Sequence, residues 1–187
     1  MSGASIVEGF RAAAGKVGAE VVVVDGVDAA IRHVAARAGG AIVCPEFPSG
    51  VRWGLADRLR AAGSEVIDGD FRTHAPRAGA GLTGANFAIA ATGTVVLEST
   101  AEALRLASTL PIRHFVLLDP RKIVADSTAA VPCLRQLHER LPQAFLAYIT
   151  GPSRTADIER VLTIGVHGPK ELHILLCEGL SDDFLES

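Results

Sequence analysis

Three short segments of the sequence carry residue types that could bind an anion or move a proton. In the first, Thr92 and Thr94 flank Gly93, and Glu98 follows four residues after Thr94. A glycine turn between two hydroxyls can direct backbone N–H groups toward a phosphate or a carboxylate, although a plain hairpin turn uses the same residues. Glu98 ends a predicted strand, where a carboxylate acts as a nucleophile or general base or simply begins the next helix. We predict ligand binding at this turn, with Glu98 as a catalytic candidate.

The second segment, Gly151-Pro152-Ser153-Arg154-Thr155, lies between a predicted strand and a predicted short helix at 154–160. A helix N-terminus beyond the carboxyl end of a strand is a common anion site in α/β proteins. Arg154 could hold a carboxylate or phosphate through two parallel hydrogen bonds. The alternative is that Ser153 only caps the helix. The ligand-binding candidates here are Gly151, Ser153, Arg154 and Thr155.

The third segment runs from Gly165 to Lys170 and places His167 in a glycine-rich loop beside Gly168. A loop histidine can titrate near neutral pH or bind a ligand, and it can equally well hydrogen-bond the backbone of its own turn. We predict His167 as the acid in an acid/base pair with Glu98, and Gly168 as a ligand-binding position.

Other kinds of chemistry find less support in the sequence. The six histidines are scattered and none pairs with Cys, Asp or Glu at metal-ligand spacing, so we predict no metal site. The three cysteines are far apart and lack CxxC spacing, which disfavours a disulfide framework and an iron–sulfur ligand set. Phosphate-binding P-loop, GxSxG and HExxH motifs are absent from the sequence. The turn Asp119-Pro120-Arg121-Lys122 is interpreted as solvated. We therefore expect no cofactor in this chain.

The elements that must position these residues alternate along the chain. Helix–strand pairs at 5–17 with 20–25, 28–38 with 41–44 and 51–62 with 65–67 predict a parallel sheet with helices on both faces. A long loop is predicted at 70–82, with a short helix after it as an open alternative. Gly93 at positive φ predicts a hairpin of strands 87–90 and 94–98. Further helices are predicted at 101–110, 124–141, with a kink or late start at Pro132, and 154–160, and further strands at 113–119, 145–150 and 172–177.

The predicted fold class is therefore α/β, with three layers (α/β/α) and a mixed, mostly parallel sheet. We expect one domain over residues 1–187 that begins with a short helical segment at about 1–18. Hydrophobic residues make up 49% and charged residues 21% of the 187 positions, which is typical of a globular protein.

Charge and hydropathy limit the partners and the location that we expect. The formal net charge of −3 argues against nucleic-acid binding, which usually needs a basic excess. Apolar runs such as Val21–Val24 are far shorter than the roughly 20 residues that span a bilayer. The first residues lack the basic and apolar regions of a secretory signal. We expect a cytoplasmic protein without a membrane span.

The three segments, in this order, resemble the LUD-domain family. The residues that carry the resemblance are Thr83–Glu98, Gly151–Glu159 and Gly165–Pro169, and it extends over about 21–178. It implies a fold similar to the NagB/RpiA/CoA-transferase group. It also implies work beside partner proteins that carry iron–sulfur clusters and oxidise L-lactate to pyruvate.

Two functions follow as hypotheses. The resemblance favours a non-redox accessory component of a cytoplasmic L-lactate utilisation system that binds a small anion, rather than an independent catalyst. The alternative is a stand-alone enzyme on a small anionic substrate, such as an acyl-CoA, a sugar phosphate or a hydroxy acid. In that case Glu98 and His167 would be the acid/base or nucleophilic residues, and they would have to share a pocket with Arg154.

Overall fold

The computed structural model describes residues 3–141, 143–156, 162–165 and 167–187. In chain order the elements are α1 (Gly3–Lys16), β1 (Glu20–Val24), α2 (Gly26–Arg37), β2 (Ile42–Val43), α3 (Pro48–Arg52), α4 (Leu55–Ala61), β3 (Val66–Ile67), α5 (Phe71–His74), β4 (Ala80–Gly84), β5 (Phe87–Ile89), β6 (Thr94–Glu98), α6 (Glu102–Thr109), β7 (Arg113–Leu118), β8 (Ile123–Val124), α7 (Ser127–Arg140), β9 (Leu146–Ile149), β10 (Arg154–Ala156), β11 (Leu162–Ile164) and β12 (Glu171–Cys177).

Six parallel strands form the central sheet, in the order β1-β12-β7-β4-β2-β3. The predicted α/β class with a mostly parallel sheet is confirmed. The predicted hairpin is also present, because β5 and β6 pair antiparallel. It belongs to a separate four-stranded sheet, ordered β8-β5-β6-β9, and a third pairing joins β10 to β11.

Side chains on successive residues of the central strands enter different hydrophobic cores, as the period of two requires. On β7, Phe115 and Leu117 pack with α2 and α4, whereas Val116 and Leu118 pack with α1 and the second sheet. The outer face of the second sheet packs against α7, with Leu137 among its buried residues. The layers, in order, are therefore α2 and α4, the parallel sheet, α1 with the second sheet, and α7.

The predicted loop at 70–82 misses the buried strand β4, which begins at Ala80. The short helix α5 and a 3₁₀ turn (Ala75–Arg77) precede this strand. The glycines of β4 misled the prediction, since glycine usually marks a turn. Here they allow close packing instead. A Cβ added to Gly81 would lie 1.9 Å from the backbone oxygen of Ala107 on α6. The strand therefore needs glycine at this position because a helix crosses it closely.

Two predicted helices also differ in extent from the structure. The predicted helix at 51–62 is two short helices, because Gly54 takes a left-handed conformation (φ 58°) between α3 and α4. Helix α7 begins at Ser127 rather than at Val124, and Pro132 lies inside it, so the helix does not start at this proline. The Asp126 carboxylate caps the helix by accepting a hydrogen bond from the Ala129 N–H (2.9 Å). Among the residues described, the helices are too short or too polar to cross a membrane.

Candidate functional site

The threonines of the first predicted segment form a chain of hydroxyls at the amino edge of the central sheet. The pairing of β6 with β9 places Thr94 beside Thr150. The Thr94 hydroxyl lies 2.7 Å from the Thr92 hydroxyl and 2.9 Å from the Thr150 hydroxyl. Thr92 and Thr150 are exposed, so this hydroxyl chain is accessible from solvent.

Gly93 plays a structural part in this turn. Its N–H donates to the Ile89 carbonyl at 3.0 Å, so it closes the hairpin rather than facing solvent. Its φ is 66°, and an added Cβ would lie 2.3 Å from the backbone nitrogen of Ala14. Glycine is required here because the turn packs directly on α1. At Gly93 the structure therefore agrees with a plain hairpin turn rather than with an anion-binding turn.

The second predicted segment lies beside the end of α1. Arg154 donates through Nη2 to the Val17 carbonyl, and a Cβ on Gly151 would lie 2.3 Å from that same oxygen. The predicted helix at 154–160 is wrong at its start, because Arg154, Thr155 and Ala156 form strand β10, paired with β11. Residues 157–161 lie outside the described residues. Without a helix start at Arg154, the argument from a helix N-terminus does not apply to this segment.

The third predicted segment packs against the second. The Ser153 N–H donates to the Pro169 carbonyl, and the Gly165 N–H donates to the Ser153 carbonyl, both at 2.9 Å. A Cβ on Gly168 would lie 2.9 Å from the Ser153 Cβ. His167 is exposed. The structure thus brings the second and third segments together at the amino edge of the sheet, near the hydroxyl chain.

Glu98 lies away from this group, at the other end of β6. It lies four positions along the strand from Thr94, a distance of about 13 Å. Its Oε1 accepts a hydrogen bond from the Thr100 N–H (2.7 Å), and its own N–H donates to the Asn86 Oδ1 (2.7 Å). The carboxylate therefore orders the connection to α6. The structure gives no support to an acid/base pair of Glu98 with His167.

The carboxyl edge of the central sheet, where open α/β sheets usually bind ligands, holds a buried polar cluster. Asp119 follows β7 and is 0% exposed. It accepts hydrogen bonds from Nε and Nη2 of Arg121 (3.0 and 2.8 Å) and from the Ser181 N–H (3.3 Å). Burial would raise the pKa of Asp119, but the hydrogen bonds from Arg121 and Ser181 outweigh it and lower this pKa below its ordinary value.

Lys122 is the second charged member of this cluster and is 1% exposed. Its Nζ donates to the backbone carbonyls of Glu186 (2.7 Å) and Asp183 (3.3 Å). Burial lowers the pKa of Lys122 to about 8, even though several carboxylates nearby favour the charged form. The interpretation of the 119–122 turn as solvated is therefore wrong for both Asp119 and Lys122. The local sequence does not indicate the burial of Asp119 and Lys122, because residues 178–187, which cover them, are far away in the sequence.

Residues 178–187 cover the middle of the carboxyl edge through side-chain-to-backbone hydrogen bonds. Trp53 Nε1 donates to the Leu180 carbonyl (3.0 Å), and Asn86 Nδ2 donates to the Phe184 carbonyl (3.1 Å). Two clefts of about 510 and 800 Å³ open on either side of this segment. Carboxylates line both clefts: Glu46, Asp57 and Asp68 in the first, and Glu8, Asp25 and Glu178 in the second. Arg60 also lines the first cleft and pairs with Asp57 and Asp68, so carboxylates alone make up the charged lining only in the second cleft, which disfavours anions.

The cysteines are buried and unpaired. Burial raises the pKa of Cys44 to about 12 and also raises the pKa of Cys133 and Cys177. A thiol with a raised pKa is a weak nucleophile at neutral pH. Burial therefore disfavours Cys44 as a catalytic nucleophile.

Comparison with known proteins places the chain in a family. A family model described as the LUD domain matches residues 7–177. Lactate utilization protein C of Anoxybacillus flavithermus is 35% identical over 150 residues, which cover 78% of this chain and 67% of that protein. Lactate utilization protein C of Geobacillus kaustophilus is 32% identical over 155 residues, which cover 74% of this chain and 62% of that protein. The chain thus spans about two thirds of the length of these relatives.

A solved structure agrees at the level of the fold. The crystal structure of a DUF162 family protein from Deinococcus radiodurans superimposes with a TM-score of 0.68 at 22% identity, covering 95% of this chain and 99% of that one. The family model covers most of the residues, and the predicted resemblance is confirmed. The chain belongs to the LUD domain family.

Proposed function

We propose that this chain is a non-redox component of a cytoplasmic L-lactate utilisation system, in which partner proteins with iron–sulfur clusters oxidise L-lactate to pyruvate. The observation that carries the proposal is the LUD domain match over residues 7–177, together with relatives named lactate utilization protein C at 30–35% identity.

The positions of the cysteines support electron carriers outside this chain. An iron–sulfur cluster needs several thiolates around one point. Cys44 and Cys177 lie in the core between the central sheet and α2, whereas Cys133 lies in the core beneath α7. Their raised pKa values also disfavour the thiolate form that ligates iron.

The amino edge supports binding of a small anion. The segments that meet there carry the exposed side chains of Thr92, Thr150, Arg154, His167 and Lys170, and one guanidinium nitrogen of Arg154 donates to the Val17 carbonyl. Hydroxyls and guanidinium N–H groups donate to carboxylates and phosphates. L-lactate and pyruvate are carboxylates of a size that such a group of donors could hold.

A thermal-shift titration with L-lactate, pyruvate and phosphate tests anion binding. A ligand at about 100 times its Kd adds about 2.7 kcal/mol to the free energy of unfolding. We expect one anion to raise the Tm of the wild type and to act much less on Arg154→Ala and Thr150→Val. Arg11→Ala is the matched control, since Arg11 is an exposed arginine of α1 paired only with Glu8 among the described residues. An equal response of all four proteins would refute binding at the amino edge.

Growth of a deletion strain tests the role itself. We expect deletion of the gene in its own host to abolish growth on L-lactate and to leave growth on pyruvate unchanged, because only the first requires the oxidation step. A tagged copy that restores growth should co-purify with proteins that contain iron and labile sulfide. Normal growth of the deletion strain on L-lactate would contradict the proposal.

A further inference from the structure

Two histidines and a carboxylate meet at the amino edge of the central sheet, between β1, β12 and α2. Parallel pairing places Glu20, the first residue of β1, opposite His173 of β12. Helix α2 crosses the same face of the sheet and brings His33 beside them. One carboxylate oxygen and one nitrogen from each imidazole all lie within 4.8 Å of one another.

The two imidazoles are incompletely hydrogen-bonded. His173 is 4% exposed, and its Nδ1 lies 3.3 Å from the Glu20 Oε2 in a geometry that makes no hydrogen bond. The Nε2 of His33 is also buried, and it has no hydrogen-bond partner among the residues that the structure describes. Buried polar atoms are hydrogen-bonded in the large majority of cases. Two such nitrogens beside one carboxylate indicate a shared ligand.

The surrounding contacts set the proton on the outer nitrogen of His173. Its Nε2 donates to the Glu171 Oε2 (3.0 Å), and Arg113 Nε donates to the same oxygen (3.0 Å). In the neutral imidazole, the Nδ1 lone pair then faces the Glu20 carboxylate. Two acceptors at 3.3 Å repel each other unless a cation, either the second proton of an imidazolium or a metal ion, lies between them. A carboxylate behind a histidine is also the usual support of a metal-binding imidazole.

We propose that Glu20, His33 and His173 bind a divalent transition-metal ion, with Zn²⁺ as the preferred ion. Two imidazoles and one carboxylate are a common zinc donor set, with bonds of about 2.0–2.2 Å. Tetrahedral geometry at that bond length separates the ligand atoms by about 3.3 Å. The Glu20–His173 separation already has this value, and the third donor, a nitrogen of the half-buried His33, lies within 4.8 Å of both.

The exposure of the cluster allows an ion to enter and leaves room for a fourth ligand. The Glu20 side chain is 43% exposed, so the ion can arrive from solvent. Arg37 Nη1 donates to both Glu20 oxygens (2.9 and 3.0 Å) and can keep one of them when the other binds the metal. Three protein ligands leave the fourth position to a water or a small anion. This site does not depend on the proposed role in lactate utilisation.

Direct metal binding by the tag-free, chelator-treated full chain tests the proposal. We expect isothermal titration with Zn²⁺ to show about one ion per chain, retained after gel filtration. Glu20→Gln and His33→Gln should each weaken the affinity at least about tenfold. His74→Gln is the matched control, because His74 is an exposed histidine 3.9 Å from a carboxylate, that of Asp70, outside the cluster. It should bind Zn²⁺ like the wild type.

Two results would overturn the site: a wild type that binds no stoichiometric Zn²⁺, or Glu20→Gln and His33→Gln variants that bind it as the wild type does. Circular dichroism shows whether the variants fold. If they do not, the Co²⁺-loaded wild type decides. We expect the visible bands of tetrahedral Co²⁺ without a thiolate charge-transfer band. A thiolate band would place the ion at a cysteine and refute the proposal, as would the absence of tetrahedral bands.

Discussion

Replacing Lys122 by methionine removes a buried ammonium group while keeping a side chain of similar length. In the folded chain this ammonium is 1% exposed and donates to the carbonyls of Asp183 and Glu186. Burial lowers the pKa of Lys122 from 10.5 to about 8. The charge is therefore less favourable in the folded chain than in water, and the difference depends on pH.

The size and sign of this dependence follow from the two pKa values. The unfolded chain keeps the Lys122 proton up to about pH 10.5, whereas the folded chain releases it near pH 8. Between these values the unfolded state binds more protons, so the free energy of unfolding rises with pH. At about 1.36 kcal/mol per pH unit, the gain across the interval is about 3 kcal/mol. Lys122→Met lacks this gain, and all other titrating groups are shared by the two proteins.

Urea unfolding at pH 7, 8, 9, 10 and 10.5 measures the difference. We expect the wild type to gain about 3 kcal/mol relative to Lys122→Met over this range. Lys16→Met is the control, because Lys16 is exposed on α1, and its curve should stay parallel to that of the wild type. A constant difference between the wild type and Lys122→Met would refute the burial of a charged Lys122.

Three further predictions concern packing and acid stability. Gly81→Ala should lower the free energy of unfolding by about 2 kcal/mol or more, because the added Cβ meets the backbone of helix α6. Gly9→Ala should raise the free energy of unfolding by about 0.5–1 kcal/mol, because Gly9 faces open space on α1. Urea unfolding measures both changes. Asp119→Asn should lower the free energy of unfolding by about 3 kcal/mol at pH 7. The difference from the wild type should disappear only well below pH 3.8, because the pKa of Asp119 is lowered in the folded chain. Urea unfolding from pH 7 to pH 2 measures this difference. Burial lowers the pKa of His114 to about 3, so the stability of the wild type should fall as the pH drops from 6.5 toward 3. Over the same range, the Tm of His114→Gln should fall less than the Tm of the wild type, as measured by thermal unfolding.

Local patterns were enough for the larger part of the fold. Helical and strand periods identified most elements to within a few residues, and the Gly93 turn identified the hairpin. The misses have a common cause. The predicted loop at 70–82 misses β4 because the glycines of this strand serve a close contact with α6, which the local sequence does not contain. The predicted helix start at 154–156 rests on Ser153 as a cap, and it is wrong because pairing with β11 determines the conformation of these residues.

For the candidate site, the sequence identified residue types and tertiary structure determined their neighbours. Ser153, Arg154 and Gly168 come together at the amino edge with the Thr92–Thr94 turn, but Glu98 lies at the other end of its strand. The polar cluster of Asp119 and Lys122 escaped prediction because distant residues of the chain bury it. Burial of a charged group depends on which segment covers it, and the local sequence does not contain this information when that segment is distant in the chain.

The sequence by itself determined the α/β class, the hairpin and membership of the LUD domain family, because periodicity and motifs are properties of neighbouring residues. Only the tertiary structure decided which strands pair, and hence that Glu20 lies opposite His173 with His33 above them. These three residues have no metal-ligand spacing in the chain. Parallel pairing between β1 and β12, which lie near opposite ends of the chain, creates their proximity, and the crossing of α2 completes it.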